Sequence, residues 1–235
     1  GTCWGLKIRS FQAETEGQLP VPTKHQQQAI QLYAELMSEA KVRMQWIAYA
    51  VDGKTGLDSR LVREFSYLQL RLICELIALG CLAAHGDVTS STKIRKMYAA
   101  DQICAELEKL HPNFYPKPHN QIRTGPNRSH FEDVAEPYLT RDDLKTLYAK
   151  TGGVLHKGNM KNILSGNAPS EKKFSEIVEW HRKIVRLLSI HRLSLFDGDT
   201  HFICLLQDSN TKGVRVVIAN KVEDLGDGLD ELKVG

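Results

Sequence analysis

Two charges interrupt the most apolar stretch of the chain. Residues 65–84 read FSYLQLRLICELIALGCLAA, and Arg71 and Glu75 are the only ionic side chains among them. Four residues apart on a helix, they share one face. A guanidinium oriented by a carboxylate in low-dielectric surroundings can stabilise charge developing on a phosphate, whereas the same pair can simply fix helix register in a core. A second feature is GGVLHKGN, residues 152–159. Gly158 and Asn159 would stop a helix just beyond His156, whose place near a helix C-terminus favours the imidazolium. His156 is thus the histidine best placed to titrate near neutrality, with Lys157 beside it as a phosphate contact, and its structural alternative is a capping histidine. A third is the stretch from Pro112 to Tyr138, where five of the eight prolines fall. It interleaves His111, Lys117, His119, Arg123, Arg128 and His130 with Phe114, Tyr115 and Phe131. Basic and aromatic side chains together suit single-stranded nucleic acid, and a solvated loop has the same composition.

Other chemistries are disfavoured. Neither phosphate-loop pattern, no Gly-x-Ser-x-Gly elbow and no His-Glu-x-x-His occurs. Cys74, Cys81 and His85 would share one helical face, but three ligands from one apolar helix make poor zinc geometry. We therefore expect no metal and no cofactor. Five cysteines, three of them in apolar helical stretches, point to buried thiols in a reducing compartment. With no leader pattern at the start, the expected location is cytoplasmic.

The elements that must position these groups are mostly helical. Thr23 and Gln26 have capping-box spacing, followed by Ile30, Tyr33, Met37, Ala40, Met44, Ile47 and Val51 in steps of three and four. Asp58 or Ser59 caps the apolar helix, whose expected stripe is Leu61, Phe65, Leu68, Leu72, Glu75, Leu79 and Leu82. Helices are expected at about 24–51, 58–85, 92–110, 140–157 and 171–196, with Thr140 and Asp143 starting the fourth. The last carries Ile177, His181, Ile184, Leu188, His191 and Leu195. Residues 201–207 and 213–219 look like a hairpin, which needs the helices or a third strand, such as one within 4–11, to be stable. The expected fold is mainly α: a five-helix bundle around the central apolar helix with a small C-terminal β-hairpin. Its segments are an N-terminal arm at 1–22, the bundle at 23–196 with a Pro-rich loop at 112–138, the hairpin at 197–221, and an acidic mobile tail at 222–235.

Bulk numbers restrict function less. The formal charge is +3, and the tail from Val222 carries −4 of it, leaving +7 on the remainder. That is a modest footprint for nucleic acid. The apolar helix is long enough to span a bilayer, but two charges at mid-membrane cost about 2.5–3.5 kcal/mol each, so the expectation is no membrane.

The Arg71-x-x-x-Glu75 step in an apolar helix, followed by LYAKTGGVLH ending at His156, resembles the HEPN-like bacterial helical proteins, including abortive-infection types. The resemblance covers about residues 60–165. It implies a helical bundle and, in active members, RNA cleavage without metal by an Arg and a His with four to six residues between them. Here Lys150 stands at that distance before His156, while Arg186–His191 and Arg123–His130 meet the spacing at the rate chance allows. On this resemblance a ribose 2′-hydroxyl attacks the adjacent phosphate, with His156 as acid–base. Arg71 stabilises the phosphate charge, Glu75 orients Arg71, and Lys117, Arg123, Arg128 and Lys157 hold the RNA. The non-catalytic alternative is an interaction protein, dimerising through the long first helix or presenting the Pro-rich loop to a partner.

Overall fold

The chain is mainly α with an antiparallel sheet. The computed structural model describes residues 6–8, 22–86, 94, 96–125, 128–155 and 174–221. Five helices stand among them: α1 (Lys24–Val51), α2 (Ser59–Ala84), α3 (Ala100–Leu110), α4 (Arg141–Leu155) and α5 (Ser175–Ser189). The strands are β1 (Leu6–Ile8), β2 (Lys117–Gly125), β3 (Arg128–Asp133), β4 (Ile190–Ser194), β5 (Thr200–Leu205) and β6 (Arg215–Lys221).

Helix starts follow their caps. Thr23 accepts from the Gln26 amide at 3.2 Å while Gln26 Oε1 accepts from the Thr23 amide at 2.8 Å, a complete capping box. Thr140 and Asp143 exchange the same two bonds at α4, and Asp58 accepts from the Arg60 amide at α2. α1 buries Tyr33, Met37, Ala40, Met44, Ile47 and Ala50, close to the stripe its periodicity predicts.

α2 packs against α1, α3, α4 and α5. By length and composition it is the one helix, among the described residues, apolar enough to cross a membrane. Its buried face is not the predicted one. Leu61 and Leu68 are nearly half exposed, and the core instead takes Ser66, Leu70, Ile73, Cys74, Ile77, Ala78, Gly80 and Cys81. Size explains the difference. In a helix apolar on almost all sides, hydropathy cannot choose a face, and small residues set the line of closest approach. At Gly80 a Cβ would lie 3.1 Å from both Met37 Cε and Tyr33 Cε2 of α1.

The sheet revises three expectations. Its order is β1-β6-β5-β4-β2-β3, antiparallel throughout. The last helix stops at Ser189 rather than 196, and the next residue is already strand. His191 and Leu193 point toward the helices and Arg192 away, so the stripe that placed His191 on a helix was period two at that point. The Pro-rich segment is not a loop: β2 and β3 form a ribbon in it, with Pro118 opposite His191 near the start of β2. Residues 200–221 do contain an antiparallel pair, β5–β6, but it is interior to the sheet, flanked by β4 and β1. The sheet therefore draws strands from the arm, the Pro-rich segment and the C-terminal region alike. The acidic tail lies outside the described residues.

One sheet face joins the main core through Leu193, Phe202 and Cys204. The opposite face carries a smaller cluster of Phe131, Ile203, Val217 and Ala219.

Candidate functional site

Arg71 and Glu75 are paired, with Arg71 Nε 3.3 Å from Glu75 Oε1. They are not buried as a core pair would be: about a quarter of each side chain stays open, 29% and 25%. They lie on the side of α2 away from Gly80 and α1, and α4 covers them only in part. The partner across that interface is Tyr148. Arg71 Nη2 donates to the Tyr148 hydroxyl at 2.7 Å, and that hydroxyl donates to Glu75 Oε1 at 3.2 Å. The guanidinium also lies 4.1 Å from the Tyr148 ring centroid. Burial first, then the Glu75 carboxylate, raises the Tyr148 hydroxyl pKa, so it remains a proton donor at neutral pH. His156 and Lys157 lie outside the described residues.

One turn before Arg71, Tyr67 donates to Glu176 Oε2 of α5 at 3.0 Å. Glu176 also takes Lys150 of α4 and, at 3.4 Å, the Trp180 indole. Burial would raise the Glu176 pKa, yet its bonds to Lys150 and Tyr67 hold it below the usual carboxylate range. Burial and the Glu176 carboxylate push Tyr67 up to about 12. Arg63 stacks over the Tyr67 ring at 5.2 Å. Residues 63, 67, 71 and 75 thus form a ladder in steps of four along α2, facing α4 and α5. This partly open seam carries three cations, Arg63, Arg71 and Lys150, while the Tyr67 and Tyr148 hydroxyls are buried and committed to Glu176 and Glu75. Sequence inspection isolates only its last pair, although the i, i+4 repeat Arg63–Tyr67–Arg71–Glu75 is visible. The α4 and α5 contributions, Tyr148, Lys150 and Glu176, carry no comparable signal.

The strand-holding candidates fall on one element. Lys117, exposed, begins β2 opposite Arg192 of β4; Arg123 lies near the far end of β2 and Arg128 begins β3, with Arg123 opposite Ser129 and Gly125 opposite Arg128. Ribbon pairing brings Arg123 and Arg128 to the same tip, at the edge of the sheet.

The histidines are held mostly as neutral structural groups. His191 is fully buried: its Nδ1–H donates to Leu188 O at 3.1 Å, leaving Nε2 to accept from the Tyr33 hydroxyl at 2.7 Å. Burial lowers its pKa to about 4. Arg186, its partner in spacing, donates to Pro137 O instead, so the pair makes no catalytic couple. On the outer sheet face His119 and His201 are both buried beside Arg192. Burial and then Arg192 lower both, His201 to about 4. Cys74, Cys81, Cys104 and Cys204 are buried free thiols, and among the described residues no cluster of three or more His, Cys, Asp or Glu side chains is arranged to hold a metal ion.

No protein-family model matches the chain, and no curated protein and no solved structure matches it significantly.

Proposed function

We propose that this protein binds single-stranded RNA, with the β2–β3 ribbon holding the phosphate backbone and the α2 groove meeting it without a metal ion. The observation that carries this reading is the register that brings Arg123 and Arg128 to one tip of the edge ribbon, with Lys117 at the other end of β2. A two-stranded ribbon with basic residues at its tip can follow a polyanion, and its contacts need no base specificity. In the catalytic form of the reading, Arg71 stabilises the phosphate, Glu75 and Tyr148 orient Arg71, and His156 moves the proton from the attacking 2′-hydroxyl to the leaving 5′-oxygen. The setting is a bacterial cytoplasm and a defence role, with no membrane. Fluorescence anisotropy with single-stranded RNA across a salt series tests the binding. Arg123→Ala with Arg128→Ala should weaken it and reduce the salt slope by about one for each phosphate no longer neutralised. Absence of binding by the parent, or an unchanged slope in the double variant, refutes the ribbon's role. Incubation with EDTA beside His156→Ala tests cleavage: intact RNA with the parent, or equal cleavage by the variant, leaves a binding protein only.

A second reading, a protein-interaction module, has its own observation. Val42, Trp46 and Tyr49 are 43–50% exposed on the side of α1 opposite its buried stripe, and Trp46 packs edge-on against Tyr49 at 5.4 Å. Self-association through this face predicts a dimer, and sedimentation showing a strict monomer at high concentration removes it.

A further inference from the structure

The β2–β3 ribbon is joined to the rest of the sheet by little pairing. β2 changes partner along its length: Lys117 and Pro118 pair with Arg192 and His191 of β4, and from His119 onward the pairing is with β3, beginning at Asp133. Of the two residues paired with β4, Pro118 has no N–H to donate. The root of the ribbon is fixed elsewhere. Phe114, just before it, is fully buried, the Tyr115 hydroxyl donates to Leu139 O at 3.1 Å, and the Leu139 amide donates to Lys183 O of α5 at 3.1 Å. The ribbon is therefore a hairpin tied into the core at its root and hinged at His119.

In this position the ribbon bends over the outer sheet face. Phe131 of β3 shares one buried cluster with Ile203 of β5 and with Val217 and Ala219 of β6, although β2 and β4 intervene in the sheet order. On the same face His119, Arg192 and His201 are all buried. The groups that face His119 are Lys117 on its own strand, Arg192 of β4, His201 of β5 and Asp133 of β3, whose carboxylate lies 3.3 Å from His119 Nδ1 and is largely exposed. His191 acts on it from the other side of the sheet, and Asp197 and Asp199 of the β4–β5 turn act on His201. The closed face thus holds one buried cation, the guanidinium, between two neutral imidazoles. Burial first, and then Arg192, disfavours a further charge on either ring.

We propose that His119 is a proton-triggered hinge: its protonation beside Arg192 releases the β2–β3 ribbon from β4 and the outer face, while the other strands and the helices keep their structure. The motion requires no RNA. An imidazole hydrated by opening ionises near its ordinary value of about 6.5. The open form accepts protons that the closed form refuses, so opening grows as pH falls below that value and levels off at the closed-form values, about 4 for His201. Each histidine that opening hydrates raises the open population by up to about tenfold per pH unit. The Phe131 cluster opposes the motion and keeps the ribbon closed at neutral pH.

A two-stranded hairpin off its sheet is marginal, so release shows as lost amide protection in the ribbon. Hydrogen–deuterium exchange of the full chain at about pH 7.5, 6.5 and 5.5, corrected for the intrinsic pH dependence of exchange, measures it. Protection of the paired ribbon amides should fall by about tenfold or more over the last pH unit, with much smaller changes in α2 and β5. His119→Gln and His119→Asn keep a polar side chain that does not titrate, and a thermal melt of each verifies folding. Either folded variant should flatten the fall. Ribbon protection that is independent of pH overturns the proposal, as does a fall shared equally by α2 and β5, which is global unfolding. A folded variant that keeps the parent's full pH dependence also overturns it, because the trigger then lies elsewhere than His119.

Discussion

Acid should unfold this protein through its buried histidines, and His191 allows the size of the effect to be worked out. Its imidazole is fully buried between Tyr33 and the Leu188 carbonyl, a site built for the neutral tautomer. The folded-state pKa is about 4 against an ordinary value of 6.5. A histidine whose pKa is depressed by folding contributes stability above its unfolded pKa and loses it as pH falls toward the folded one. Each pKa unit corresponds to 1.36 kcal/mol, so His191 alone removes about 2 kcal/mol at pH 5 and about 3 kcal/mol at pH 4. His201, His85, His119 and His181 are also depressed, so their contributions have the same sign. Urea unfolding at about pH 7.5, 5 and 4 measures the total. His191→Met with Tyr33→Phe isolates one histidine, because the second change removes the hydroxyl that would be left without an acceptor. The double variant should lose about 3 kcal/mol less than the parent between the extremes of that range. If parent and double variant lose stability equally, His191 is not held neutral by the fold and the reasoning fails.

Two further substitutions test the packing around α2. Arg71→Met and Glu75→Gln should each cost less than about 1 kcal/mol, because the pair is a quarter open to solvent and screened. A loss of about 3–5 kcal/mol in thermal or urea unfolding would mean an enclosed pair instead. Gly80→Val should cost about 1–3 kcal/mol by overpacking against Met37 and Tyr33, and an unchanged urea midpoint would show that α1 and α2 do not meet there.

Three helix starts were legible because their determinants are local, whereas α3, expected from 92, starts at Ala100 behind Ala99, which makes no side-chain cap bond. Thr23, Asp58 and Thr140 each announce a start within three residues, and α1 repeats its apolar stripe over seven turns. The face of α2 was not legible, since periodicity is informative only where polar residues contrast with apolar ones. There the deciding property is side-chain volume at Gly80, which acts only when α1 is present. The sheet was hidden for a different reason. Its strands come from positions 6–8, 117–133 and 190–221, and four of the six meet in pairs that no local pattern announces: β1 with β6, and β2 with β4. Short strands such as Ile190–Ser194 also satisfy helical and strand periods equally well when Leu188, His191 and Leu195 are the only markers.

The candidate groove shows the same limit at the scale of side chains. Arg71 and Glu75 stand out because they contrast with an apolar run, so sequence inspection assigns them a buried role. What defines their setting is Tyr148, an unremarkable aromatic on another helix, which donates to one partner and accepts from the other. The open quarter of that pair alters its chemistry. Enclosed, it would be a structural lock that no polyanion could reach; a quarter open and backed by Tyr148, it keeps an oriented guanidinium in contact with solvent. The two consequences are linked: the exposure that makes the pair a weak contributor to stability is what leaves it accessible to a phosphate. A variant series in which Arg71→Met leaves the melting temperature nearly unchanged but weakens RNA binding would join both halves. Unchanged RNA binding in that same folded variant would place the pair outside the RNA surface and leave the β2–β3 ribbon to account for binding alone.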